Sequence, residues 1–137
     1  MEFNNPQQGE HGLTMSLYND LKTSEISVLK KTSQHISAVF CFKKELDLFN
    51  GHFPGNPILP GIFQVEMVKY AMEKTFDTGF YIKSVKKTKF SNLIHPGETV
   101  CIDITANKEE NSRFNVRAIL RVGDTIAGKI NMVITEK

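Results

Sequence analysis

Cysteine is scarce in this chain: Cys41 and Cys101 are the only two in 137 residues, and both lie inside apolar, strand-like runs. A disulfide framework needs more of them, and no Cys/His spacing of a zinc site is present. Both therefore read as small buried hydrophobes. Long apolar runs are also missing. None approaches the roughly 18 residues that span a bilayer, so membrane insertion is not expected. No basic stretch followed by an apolar one opens the chain, which leaves no secretory pattern and points to the cytoplasm. Charge of one sign is in short supply too. A formal net charge of +2 gives little footing for a nucleic-acid partner. Neither a serine nucleophile elbow nor a glycine-rich phosphate loop occurs.

What is present suits one globular unit. A chain of 137 residues, 40% hydrophobic and 23% charged, is long enough to bury a core without metal or disulfide support. Residues 1–15 are polar, rich in Gly, Asn and Gln, and aperiodic, so they read as a disordered tail before a single domain over 16–137. A short helical turn is expected over 17–22. Two β-rich runs follow, Glu25 to Lys31 and Gln34 to Lys43. In the second, Ile36, Ala38, Phe40 and Phe42 share one side. Four more strand-like runs close the chain: Phe80 to Phe90, Thr99 to Asn107, Arg113 to Val122, and Thr125 to Thr135. Their connections carry turn residues, with Gly123-Asp124 the clearest hairpin signal.

Between the strand groups lies the richest local signal. His52-Phe53-Pro54-Gly55-Asn56-Pro57-Ile58-Leu59-Pro60-Gly61 places three prolines and two glycines in ten residues. The backbone there is stiff, and a histidine is held within it. Pro60-Gly61 opens a helix expected to reach about Lys74, since proline is tolerated where the first amides lack intrahelical partners. Ile62, Phe63, Val65, Met67, Val68, Tyr70, Ala71 and Met72 surround nearly the whole helix, the pattern of a buried one. The order strand, strand, helix, four strands is met by a mostly antiparallel, six-stranded sheet curled round one long central helix. Glu66, fourteen positions after His52, is the only acidic residue between Ile58 and Val68.

The run from His52 to Gly61 with Glu66 resembles the active-site signature of bacterial 3-hydroxyacyl-(acyl-carrier-protein) dehydratases. Lys89-Phe90-Ser91-Asn92-Leu93-Ile94-His95-Pro96-Gly97-Glu98 is similar to that family's later strand and Pro-Gly turn. The resemblance implies an α+β hot-dog fold and a homodimer, or a higher homo-oligomer, formed by joining two sheets. It implies a site shared across the interface, with the histidine from one subunit and the acid from the other. The implied reaction converts 3-hydroxyacyl thioesters, carried on an acyl carrier protein, to trans-2-enoyl thioesters without metal or organic cofactor. Two departures stand out. Tyr70 occupies the place where the family has a glutamine four residues after the acid, and the family's usual N-terminal segment is not recognisable over 15–30.

The chemistry needs a base at carbon 2, an acid for the hydroxyl leaving carbon 3, and a stabilised thioester oxygen. His52, whose ordinary pKa is near neutrality, is the candidate base. Glu66 is the candidate acid, its bland alternative being an i,i+3 ion pair with Lys69. The amide at Gly61 is the candidate donor to the thioester oxygen. Gly55 and Gly61 both allow close approach to the backbone, and Phe63, Met67, Tyr81 and Phe90 are candidates to line an acyl tunnel. Lys83, Lys86, Lys87 and Lys89 form either a solvated strand face or a docking patch for an acidic carrier. His11, His35 and His95 lie in the tail or at turns and are weaker candidates. A hot-dog acyl thioesterase and a non-catalytic carrier-binding subunit stay open as alternatives. Chain length and pathway (fatty acid, polyketide or aryl polyene) stay open as well.

Overall fold

The computed structural model describes residues 17–49 and 55–137. The expected tail, His11 and His52 lie outside them. Helix α1 runs through 17–24 and leads into strands β1 (Glu25–Lys30) and β2 (His35–Cys41). A 3-10 turn (Asp47–Phe49) precedes helix α2 (Gly61–Phe76). Strands β3 (Phe80–Val85), β4 (Lys89–Phe90), β5 (Thr99–Lys108), β6 (Arg113–Val122) and β7 (Thr125–Glu136) complete the chain. Every pairing is antiparallel, in the order β1-β2-β5-β6-β7-β3, with β4 beside β7.

The alternation seen in the sequence sets the inner face. Ile36, Ala38 and Phe40 of β2 point inward together with Val100, Ile102, Ile104 and Ala106 of β5. Phe114, Val116, Ala118 and Leu120 do so from β6, and Ile130, Met132 and Ile134 from β7. All are buried against Val65, Met67, Val68, Ala71 and Met72 of α2. A fully buried aliphatic or aromatic side chain contributes about 1.5–3 kcal/mol, so this one cluster dominates the stability of the domain. Gly123, at φ +60, turns β6 into β7, and Gly97, at φ +87, sits in the turn before β5. Asp77 ends α2 in the left-handed conformation, φ 51.

Three expectations change. The run over Phe80 to Phe90 is two strands, so the sheet has seven strands where six were expected. From Val85 to Lys89 the chain advances four residues while its partner β7 advances three, from Met132 to Lys129. The extra residue breaks the ladder as a bulge does. A second register shift, between Ile82 and Ser84, lies just upstream. Cys41 and Cys101 are not buried: Cys101 is exposed and Cys41 half-buried, and both are free thiols. They occupy the outward phase of β2 and β5, where Cys101 pairs with Val39. Finally, α2 is not wrapped on all sides. Ile62, Glu66, Lys69 and Glu73 form a stripe open to solvent or half-open, with Ile62 65% exposed.

Candidate active site

The start of α2 is held from outside the helix. The Leu59 N–H donates to the carbonyl of Ile94 at 2.8 Å, which ties the proline frame to the segment before β5. Pro60 is extended, with φ −63 and ψ 150, and no side chain caps the helix. The N–H groups of Phe63 and Gln64 both reach the Pro60 carbonyl, at 3.0 and 3.3 Å. Those of Gly61 and Ile62 have no partner among the described residues. They carry the positive end of the helix dipole and suit a partly negative oxygen. A cavity of about 370 Å³ opens here, lined by Leu59, Gly61, Gln64, Phe90, Asn92 and Leu93. A Cβ at position 61 would lie 2.5 Å from the Phe90 ring, so any larger residue there would force the ring to shift. Gly55 is exposed, in the left-handed region at φ +85.

Glu66 faces elsewhere. It follows Gly61 by five residues and Gln64 by two, which sets it about 140° and 200° round the axis from them. It borders a hollow of about 290 Å³ between α1 and α2, with Leu17, Tyr18, Leu21 and Tyr70 as the apolar walls. Lys69 Nζ lies 3.8 Å from Glu66 and 3.6 Å from Glu73, so the i,i+3 pair is present. The Glu66 side chain is one quarter exposed. A pair this open is worth a few tenths of a kcal/mol. Within one chain, then, the Gly61 amide and Glu66 open on different hollows. His52 lies outside the described residues.

Tyr70 has its polar end engaged. Its hydroxyl donates to Glu25 Oε1 at 2.6 Å, and Lys74 Nζ lies 3.4 Å from the same oxygen. The ring packs between Tyr18 and Phe40 at centroid distances of 5.8 and 5.9 Å. Burial, and then the Glu25 carboxylate, hold the phenol above its ordinary pKa. The residue that replaces the expected glutamine thus locks α2 to the first residue of β1.

Of the remaining predicted residues, Met67 is fully buried in the core and Phe63 packs half-buried against it. Tyr81 is exposed on β3. Lys83 borders a surface hollow with Glu109 and Glu110. Lys86 and Lys87 border another with Arg117 and Asn131, and Lys89 faces Lys129 across the β4–β7 ladder. His35 contacts the Thr32 hydroxyl at 3.1 Å, and His95 pairs with Glu98 at 3.3 Å, each at a turn. No group of three or more His, Cys, Asp or Glu able to hold a metal occurs among the described residues.

The sequence reading missed three features. Gln64, only 2% exposed, is buried beside the helix start. It stands three and four residues from Gly61 and Val68, so its core-facing position was visible in the helical period. Asp20 is buried and accepts the Leu48 N–H at 3.1 Å, which fastens α1 to the 3-10 turn just before the stretch that holds His52. The α1 wall of the Glu66 hollow is a contact between distant segments, and nothing local encodes it.

Residues 28–127 match the family described as ApeI-like, ApeI dehydratase. The chain is 27% identical over 105 residues to the 3-hydroxyacyl-(acyl-carrier-protein) dehydratase FabZ of Caulobacter vibrioides, covering 70% of this chain and 66% of that protein. It is 32% identical over 83 residues to FabZ of Ligilactobacillus salivarius, covering 56% and 59%. The match thus spans less than two thirds of these relatives' length, 66% and 59%. Among solved structures, the dehydratase heterocomplex ApeI:P from Xenorhabdus doucetiae superposes with a TM-score of 0.67 at 25% identity, covering 81% of this chain and 96% of that one. A mutant of the fluoroacetyl-CoA-specific thioesterase FlK superposes at 0.63 with 14% identity, covering 80% and 89%, which shows the shared hot-dog fold alone. This chain belongs to the ApeI-like dehydratase family.

Proposed function

We propose that the protein is a hydro-lyase that converts 3-hydroxyacyl thioesters on an acyl carrier protein to trans-2-enoyl thioesters. It works in the cytoplasm as a homodimer, in the synthesis of fatty acids or related acyl chains. The observation that supports this most is the start of α2, where the Gly61 amide, unclaimed among the described residues, opens on a cavity. A thioester oxygen placed there gains charge as carbon 2 loses its proton, and fixed N–H donors stabilise that charge without reorganising.

In this reading His52 takes the carbon-2 proton. Glu66 gives a proton to the hydroxyl on carbon 3, which leaves as water. The electron pair from carbon 2 forms the new double bond, so atoms and charges balance. Because Glu66 and the Gly61 amide diverge round the helix, the acid that completes each site comes from a second copy. Tyr81 and Val85 on the β3 edge are exposed apolar side chains, as are Ile62, Phe90 and Leu93. A second chain joined along that edge would cover them and remove the unpaired edge. Lys86, Lys87 and Lys89, together with Arg117 and Lys129, form the carrier-docking face. Lys83 contributes less, since Glu109 and Glu110 lie beside it.

The test is conversion of a 3-hydroxyacyl thioester, followed by absorbance of the conjugated enoyl product. Turnover by the native chain and its loss in His52→Ala are expected. Undiminished turnover in His52→Ala would overturn the assignment. Release of free thiol from acyl-CoA without enoyl product would favour a thioesterase instead.

A further inference from the structure

We infer that Gln64 is a substrate-binding residue that accepts a hydrogen bond from the 3-hydroxyl of the acyl thioester. This rests on the dehydratase reading above and adds the group that recognises the hydroxyl. Gln64 is buried, and its Oε1 has no hydrogen-bond partner among the described residues. A buried acceptor left unpaired costs free energy that an apolar side chain of the same shape avoids. The oxygen lies against β7 at Gly128, where an added Cβ would stand 2.8 Å from it and 3.2 Å from the Phe90 ring. The Phe90 ring reaches from Gly128 to Gly61, and the Gln64 oxygen adjoins its Gly128 end. Gln64, Gly61 and Phe90 line one cavity, which the Gly61 amide, unclaimed among the described residues, also borders.

The spacing suits one substrate. Gln64 follows Gly61 by three residues, about 4.5 Å along the axis, and side chains on a helix lean back toward its N-terminus. An acceptor therefore stands within one turn of the amide proposed for the thioester oxygen. The carbonyl oxygen and 3-hydroxyl of a 3-hydroxyacyl thioester are a pair of that kind, one needing donors and the other offering a hydrogen. With its hydrogen on Gln64, the hydroxyl turns a lone pair toward the incoming acid. Carbon 3 then loses its oxygen as water, with the proton from Glu66, while His52 holds the proton from carbon 2. Gln64 exchanges no proton.

A site built to hydrogen-bond a hydroxyl rejects the analogue that lacks it. The experiment compares binding of 3-hydroxyacyl-pantetheine with the saturated acyl-pantetheine of equal length. It uses the full chain carrying His52→Ala to prevent turnover. A preference for the hydroxyl compound on the order of ten-fold is expected. Gln64→Met, with melting temperature unchanged or raised, should bring the two ligands within about two-fold. Gln64→Leu serves as a second variant should the first fold poorly. Equal binding of the two ligands before Gln64 is changed, or a preference that survives its replacement, would overturn the inference. Failure of the native chain to form enoyl product would instead refute the dehydratase reading, while the binding comparison still reports on Gln64.

Discussion

Asp20 offers a sharp test of how α1 is fastened to the segment before the proline frame. Its carboxylate accepts the Leu48 N–H at 3.1 Å in a buried setting. Asp20→Ala leaves that amide without a partner, which costs about 1–3 kcal/mol. At about 2.1 cal/mol/K per residue over the 137 residues, 1 kcal/mol corresponds to about 3.5 °C in Tm. Asp20→Ala should therefore melt about 3–10 °C lower. Asp20→Asn keeps a neutral acceptor in the same place and behaves differently. Burial, with the nearby Asp47 adding to it, raises the Asp20 pKa although the Leu48 hydrogen bond lowers it. The folded chain thus holds this proton more tightly than the unfolded chain. Between the unfolded value near 3.8 and the raised folded value, stability from this group falls as pH rises, and it is level above. Asp20→Asn removes that fall, so its stability relative to the native chain should climb with pH and then plateau. Urea melts at a series of pH values from about 4 to 8 would measure it. Equal losses in the alanine and asparagine variants, or an asparagine advantage that shrinks as pH rises, would show that Asp20 does not fasten α1 in this way.

Three further outcomes are expected. Tyr70→Phe breaks the bond to Glu25 but leaves Lys74 beside that carboxylate. It should cost about 1–2 kcal/mol in denaturant melts at unchanged m-value. Gly61→Ala drives a methyl into the Phe90 ring and should lower stability by about 1–3 kcal/mol, as overpacking does. Adding Phe90→Ala should recover most of that loss, an interaction a double-mutant cycle detects. Replacing Lys86, Lys87 and Lys89 by Glu should raise KM for carrier-borne substrate by roughly ten-fold or more at low salt. The same acyl group on free pantetheine should be turned over as before.

How much of this was legible in the sequence depends on the kind of signal. The strands of the inner face were, because Ile36, Ala38 and Phe40, or Val116, Ala118 and Leu120, keep one phase through an unbroken ladder. The start of α2 was legible from Pro60-Gly61. The division of the Phe80 to Phe90 run was not, because two bulges along β7 shift the phase, and period-two reading assumes a constant one. The outward thiols of Cys41 and Cys101 were misjudged, since composition does not tell which phase of an apolar strand faces in. The open stripe of α2 was misread because Ile62 looks like core, yet no strand among the described residues covers it. At the candidate site the motif named Gly61 and Glu66, but not that they open on separate hollows. It also did not single out Gln64, a polar side chain at a core-facing position of the helix. Asp20 and the α1 wall depend on contacts between segments far apart in the chain.

His52 and Glu66 are proposed to dehydrate the substrate from opposite subunits. The most direct measurement mixes two inactive variants, His52→Ala and Glu66→Gln, by unfolding and refolding them together, and then follows enoyl product. In a mixed dimer one site carries both changes and the other carries neither. Random pairing should thus restore roughly a quarter of native activity. A mixture as inactive as its parents, with exchange of subunits verified, would contradict the shared site. Activity in either variant alone would contradict the assigned chemistry.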